Sequence, residues 1–247
     1  MRQFEQDADT FRRYAIYYVP QPGGTFAEFG ANWLGWDCAT ARPRTHPVIK
    51  GIPKPIQIFT DVPRRYGFHA TLKAPFELAD HCTFDALAAG VEALCAELPV
   101  TTLDGLRPSH FNGFVALLPQ TNGSRTNASQ INAIAAHILR GLDHFRAPLS
   151  ADSMARRRAQ GLTDRQDELL RRWGYPFVLE EFQFHMTLTG HVLAGEAQAI
   201  CQALRPHLMR IVPGQVLIDS VALMGEDSNG MFRLIQRYAL TGPTTQM

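Results

Sequence analysis

Cysteine is scarce in this chain, and its four cysteines form no metal or redox motif. Cys38, Cys82, Cys95 and Cys201 stand far apart in the 247 residues, with no C-x-x-C pair among them. That argues against zinc-ribbon and thioredoxin-type chemistry. Cys82, Cys95 and Cys201 sit among apolar neighbours and read as buried thiols. A chain of this size needs no disulfides, so a reducing cytoplasm is the expected location. No apolar run approaches the ~20 residues of a membrane span. The opening Met1-Arg-Gln-Phe-Glu-Gln-Asp7 carries acids where a signal peptide needs a basic start and an apolar run. An excess of one charge is also missing: 24 Lys and Arg against 23 Asp and Glu leave +1. That speaks against a grip on long nucleic acid but leaves room for a local basic site. The sequence holds no H-x-H, H-E-x-x-H, G-x-S-x-G, Walker or dinucleotide-binding glycine pattern. Metal hydrolase, serine hydrolase, P-loop and Rossmann readings therefore lack their signatures.

What is present occurs twice. Phe68-His69-Ala70-Thr71-Leu72 and Phe184-His185-Met186-Thr187-Leu188 share the core Phe-His-x-Thr-Leu. Both alternate as strands do. Tyr66, Phe68, Ala70 and Leu72 share one face, with His69, Thr71 and Lys73 on the other. Phe182, Phe184, Met186 and Leu188 oppose Gln183, His185, Thr187 and Thr189. Packing explains the recurring Phe and Leu, but not a His and a Thr recurring on the opposite face.

The surroundings repeat as well. Arg13–Val19 reads as a strand, and Phe26–Trp36 as a helix with an aromatic face. Residues 39–64 read as a loop with a short strand at Ile56–Phe59. Phe84–Leu98 reads as a helix capped by Thr83 or Asp85. Thr101–Leu106 and Phe111–Leu118 read as paired strands, 119–129 as a turn-rich linker and Ile131–Phe145 as a helix. Glu196–Leu208 is a further helix, and Gln215–Met224 with Met231–Leu240 a hairpin. Gly113 lies 44 residues after His69, and Gly230 lies 45 after His185. The pattern is a duplicated α+β unit, about 13–118 and about 113–240, within one bilobed domain. Two antiparallel sheets related by a pseudo-twofold would line a central cleft, with helices outside, and bring His69, Thr71, His185 and Thr187 together.

Residues 146–181 form a lid-like insertion. Thr163-Asp-Arg-Gln166 has the capping-box pattern that opens a helix, and Gly174 and Pro176 close it. Its arginines, 156–158 and 171–172, read first as a solvated face. The sharper reading brings positive charge to an anionic substrate.

Paired imidazoles suit a phosphodiester: one neutral His can act as base while one protonated His acts as acid. Thr71 and Thr187 can donate to non-bridging oxygens, and Lys73 can add charge.

The wording resembles the 2H phosphoesterase superfamily, which includes cyclic nucleotide phosphodiesterases and 2′-5′ RNA ligase-like proteins. Arg13-Tyr-Ala-Ile-Tyr17, Trp33-Leu-Gly35, Tyr66–Lys73, Trp173-Gly-Tyr-Pro176 and Phe184–Gly190 are similar to its DUF1045 branch, often labelled phosphonate metabolism proteins. The resemblance runs over roughly 13–240. It implies a bilobed fold with no metal and no cofactor. It also implies His69 and His185 as the acid/base pair and Thr71 and Thr187 as phosphate holders; Lys73, on the same strand face as His69, is the expected substrate-binding residue. The expected partner is a small phosphodiester or nucleotide-like substrate, with no membrane and no long nucleic acid. A non-catalytic phospho-ligand binder and an RNA-end processing enzyme are the alternatives.

Overall fold

The computed structural model describes residues 11–120 and 125–243. The polar lead-in up to residue 10 and the middle of the expected linker, 121–124, lie outside them. The first half runs β1 (Tyr14–Tyr18), α1 (Thr25–Leu34), β2 (Trp36–Asp37), β3 (Arg42–Pro43), α2 (Ile56–Thr60) and β4 (Ala70–Phe76). It continues through α3 (Phe84–Glu97), β5 (Thr101–Asp104), β6 (Leu106–Phe111) and β7 (Phe114–Pro119). The second half has α4 (Arg125–Gly141), α5 (Ala151–Arg158), α6 (Asp164–Trp173), β8 (Met186–Thr187) and α7 (Ala194–Ile211). It closes with β9 (Gln215–Ile218), β10 (Ser220–Glu226) and β11 (Phe232–Ala239).

The architecture is α+β, with antiparallel sheets. The two larger sheets have the orders β11-β10-β1-β4 and β6-β7-β8, and β2 with β3 and β5 with β9 form two-stranded sheets. Each histidine segment leads into a strand that pairs antiparallel with an earlier one: β4 with β1 across α1 and α2, and β8 with β7 across α4, α5 and α6. β5 and β9, one from each half, pair antiparallel. β1 lies between β10 and β4 and is buried at all five residues.

The helices cover the outer faces through their apolar stripes. Phe26, Phe29 and Trp33 of α1 are buried as their spacing requires. Gly30 of α1 meets the Phe68 ring so closely that an added Cβ would lie 1.9 Å from it. The helix stops at Leu34, two residues short of the expected end, because Gly35 takes a left-handed C-cap (φ 72°). Trp33 Nε1 donates to the carbonyl of Leu188 at 2.7 Å. This buried bond ties α1 to the chain just past the second His-x-Thr.

Several element readings change, among them the linker expected over 119–129, inside which α4 already starts at Arg125. Ile56–Phe59 is helical, with Ile56 and Phe59 buried, Ile58 exposed, and the Thr60 hydroxyl bonded to the Ile56 carbonyl. Four apolar-rich residues cannot separate a helical from an extended period. Thr101–Asp104 pairs with β9 rather than with 111–118. Gly105 (φ 46°) breaks the run, so only Leu106–Phe111 forms the hairpin with β7. Pro108 is accommodated because β6 is an edge strand. Residues 215–224 likewise split at Asp219 into β9 and β10.

Candidate active site

Each histidine segment has a sealed apolar side. Phe68, Ala70 and Leu72 are buried, as are Phe184, Met186 and Leu188, while His69, Thr71, His185 and Thr187 are only half-buried. Tyr66 departs from this pattern. It sits in a 3-10 turn, Pro63–Tyr66, ahead of the strand, and stacks on Phe232 at 5.2 Å. Gly67, with φ 74°, turns the chain between them, and an added Cβ there would lie 2.5 Å from the Cys38 sulfur.

The two imidazoles are held by the same device. His69 Nδ1 lies 2.9 Å from the carbonyl of Gly67, and His185 Nδ1 lies 2.7 Å from the carbonyl of Gln183. A carbonyl only accepts, so Nδ1 carries the proton in each ring and Nε2 keeps its lone pair. For His69, Nε2 lies 3.1 Å from the Thr71 hydroxyl, which donates to it. Both rings rest on aromatics. Tyr17 stacks on His69 at 3.8 Å and 24°. Phe111 and Phe114 flank His185 at 5.1 and 5.8 Å.

These surroundings disfavour the imidazolium. Burial pushes His69 down to about 4, only partly opposed by the Gly67 carbonyl, and the charge of His185 adds to the fall. Burial also lowers His185, against the Gln183 carbonyl. The free site therefore holds two neutral imidazoles near neutrality, each able to accept a proton at Nε2.

β4 and β8 lie side by side, with Cα atoms within 8 Å. Thr71 and His185 line one cavity of about 520 Å³, closed further by Phe111, Phe114, Gln183 and Tyr175. Neither His69 nor Thr187 lines that cavity; His69 is hydrogen-bonded to Thr71, which does. Thr187 follows two residues after His185, opposite Ala116 of β7. Thr189, by contrast, is structural: it is buried, accepts from the Val115 N–H and donates to the Gly190 carbonyl. Only Met186–Thr187 of the expected 182–190 strand is a regular strand, with Leu188 and Thr189 still donating their backbone N–H groups to the Val115 carbonyl.

Lys73 takes a different position. The register slips between Tyr17↔Thr71 and Ile16↔Lys73, so two residues of β4 pass one of β1. Lys73 is 2% exposed, and its ammonium donates to the Leu139 carbonyl at 3.3 Å and to Asp143 at 3.4 Å. Burial pulls it down to about 8, with Asp143 opposing. It lines an adjoining cavity rather than the one shared by Thr71 and His185.

The arginines of the insertion divide. Arg158 and Arg171 both pair with Asp167 on the exposed side, as a solvated face would. Arg157 lies over the Tyr175 ring at 5.3 Å, and both line the adjoining cavity. Tyr17 and Tyr175 are the residues of the site that sequence reasoning left without a role. Both stood inside quoted motifs, Arg13–Tyr17 and Trp173–Pro176. Among the described residues no three His, Cys, Asp or Glu side chains converge as a metal-ligand set, and no helix is long and apolar enough to cross a membrane.

A family model described as a protein of unknown function, DUF1045, matches residues 71–233. Two curated relatives are each named ribose 1,5-bisphosphate phosphokinase PhnN. The one from Janthinobacterium sp. (strain Marseille) is 36% identical over 228 residues, covering 90% of this chain and 49% of its own. The one from Laribacter hongkongensis (strain HLHK9) is 36% identical over 180 residues, covering 73% and 40%. The chain thus spans about half the length of the curated relatives it matches, or less. A solved structure described as a phosphoesterase aligns over 94% of this chain and 99% of its own, at 15% identity and a TM-score of 0.40, too distant to carry an argument.

Proposed function

The chain belongs to the DUF1045 family, and from its paired imidazoles we propose that it is a 2H-type phosphoesterase that hydrolyses a small, cyclic phosphodiester without a metal. The observation that carries this reading is the shared anchoring of the two histidines. Each gives its Nδ1 proton to the carbonyl two residues back and keeps Nε2 for the substrate.

The reaction proceeds as follows. A bound diester brings negative charge to the cavity lined by His185 and stabilises that ring as imidazolium. The Thr71 hydroxyl turns from His69 Nε2 to a non-bridging oxygen, and Thr187 holds the other. His69 Nε2, now free, takes a proton from water as the water oxygen bonds to phosphorus. The bridging P–O bond breaks, and the departing oxygen takes the Nε2 proton of His185. The product is a phosphomonoester with a new hydroxyl. The proton on His69 then returns through solvent to His185. Each proton transfer contributes ~10²–10⁴ in rate.

The resemblance supports a place in phosphonate metabolism. The relatives' name supports a ribose phosphate as the carrier of the diester. The chain contains no G-x-x-x-x-G-K-[ST] run, so we assign it diester opening rather than phosphoryl transfer from a nucleotide. The test is hydrolysis of a 2′,3′-cyclic nucleotide and of a ribose cyclic phosphate in excess chelator, followed by phosphorus NMR. His69→Ala and His185→Ala should each lower the rate at least about 100-fold with the fold intact. Hydrolysis that survives the double variant refutes the mechanism.

A further inference from the structure

A second cavity, of about 450 Å³, opens beside the one that holds Thr71 and His185, and the two share Ala74, Tyr175 and Val178 as walls. Its lining is strongly cationic in a chain whose net charge is only +1. Three of its cations are already neutralised. Arg13 pairs with Glu226, and Lys73 and Arg146 share Asp143. Four are not: Arg12, Arg65, Arg156 and Arg157 line the cavity with no carboxylate partner among the described residues. Arg157 is the telling one. It lies over the Tyr175 ring on the wall common to both cavities, with Arg13 and Arg156 as like-charged neighbours. Burial pulls its guanidinium below the ordinary value, and those two arginines add to the pull. Guanidinium groups without a carboxylate partner around one cavity call for an anion, even with Glu77 also on its lining.

We propose that this cavity binds a second, non-reacting phosphomonoester of the same substrate, so that the substrate is a phosphorylated sugar carrying a cyclic phosphodiester. The strand that joins the two cavities sets the scale. Thr71 lines one and Lys73 the other, two residues apart on β4, which is at most about 6–7 Å of strand. That span fits a pentose with a group at each end; neighbouring phosphates of a nucleotide strand have a similar spacing, so turnover on a short RNA separates the two. The proposal rests on the phosphodiesterase reading for the first cavity, but the second cavity can be tested without turnover.

The probe is ribose 5-phosphate, which has no diester to open. Calorimetry at constant ionic strength should show binding that Arg156→Gln/Arg157→Gln weakens about 10-fold or more and that Arg157→Lys weakens less. Thermal melts check that the variants fold. Unchanged affinity in the double glutamine variant overturns the assignment. Turnover then tests the substrate class. A nucleoside or ribose cyclic phosphate bearing a 5′-phosphate should exceed its unphosphorylated counterpart at least about 10-fold in kcat/KM, and the double glutamine variant should bring that ratio towards one. Hydrolysis with no such preference overturns this proposal and leaves the proposed function standing. Binding with no hydrolysis of any diester does the reverse. A short RNA with a cyclic end that outpaces both small substrates would hand the cavity to the next phosphate of a strand and refute the sugar phosphate.

Discussion

Acidifying the free protein should destabilise it through His69 in particular. Burial pushes that imidazole down to about 4 in the folded chain, against about 6.5 in the unfolded one. Between those values the unfolded state binds more protons, so stability falls as pH falls through this window and is fully retained above about 6.5. With one pKa unit equal to about 1.4 kcal/mol, the loss at pH 5 comes to about 2 kcal/mol. At a urea m-value of roughly 2 kcal/mol/M that moves the midpoint by close to 1 M. Other groups titrate over the same range, His185 among them, so the wild type alone does not isolate the effect. His69→Gln removes the titrating ring and leaves the rest. Urea unfolding of both proteins at pH 7 and pH 5 gives four midpoints, and the difference of differences belongs to His69. Any pH-independent cost of the glutamine cancels. If both proteins lose the same stability between pH 7 and pH 5, the imidazole is not sealed as the geometry requires, and its role as a base kept neutral by burial fails.

Three other outcomes follow from the same contacts. Gly67→Ala should destabilise by about 1–3 kcal/mol in thermal melts and lower activity, because Gly67 has φ 74°, abuts Cys38 and supplies the carbonyl that anchors His69. Tyr17→Phe should leave stability equal or raise it by up to ~1 kcal/mol, since the lost hydroxyl has no partner; a large loss of stability by denaturant titration would reveal a bond the structure lacks. The pH profile of kcat/KM, which reports the free enzyme, should peak below about pH 6.5, the ordinary imidazole value, because both histidines are lowered. A maximum above pH 7 would exclude the imidazoles as the titrating pair.

Much of this arrangement was legible in the sequence because it is local. Period-2 alternation put Phe68, Ala70 and Leu72 inside and left His69 and Thr71 facing out. Thr163 and Gln166 announced a capping box, and the structure has both of its bonds. What was not legible depends on partners distant in sequence. Nothing around Thr101 says that its strand partner lies at Ile218. Lys73 keeps the alternation of its strand on paper, yet the slip against β1 sends its ammonium to Leu139 and Asp143. Arg157 and Arg158 are adjacent and chemically identical, and only the path of α5 puts one over Tyr175 and the other beside Asp167. A run of arginines cannot declare from composition which members meet solvent and which line a cavity.

The duplication also bears on how one pair of like residues can serve as acid and base. Two strictly equivalent histidines would titrate alike, and the proposed reaction needs one neutral and one charged. The copies have diverged in their surroundings, not in their motif. His69 is covered by Tyr17 and bonded to Thr71, away from the cavity wall, whereas His185 lines the cavity itself, between Phe111 and Phe114. An anion entering that cavity acts first on the ring it can approach. In the proposed reaction the copy behind Thr71 stays neutral and the copy on the cavity wall gains the proton, so His69 would be the base and His185 the acid. Exchanging the aromatic setting, by opening His69 with Tyr17→Ala, should therefore lower activity more than the loss of a stacking contact alone. It should also raise the pKa of His69 towards the ordinary imidazole value, as followed by NMR titration of the ring. A His69 that still titrates near 4 after Tyr17 is removed would show that stacking is not what seals it.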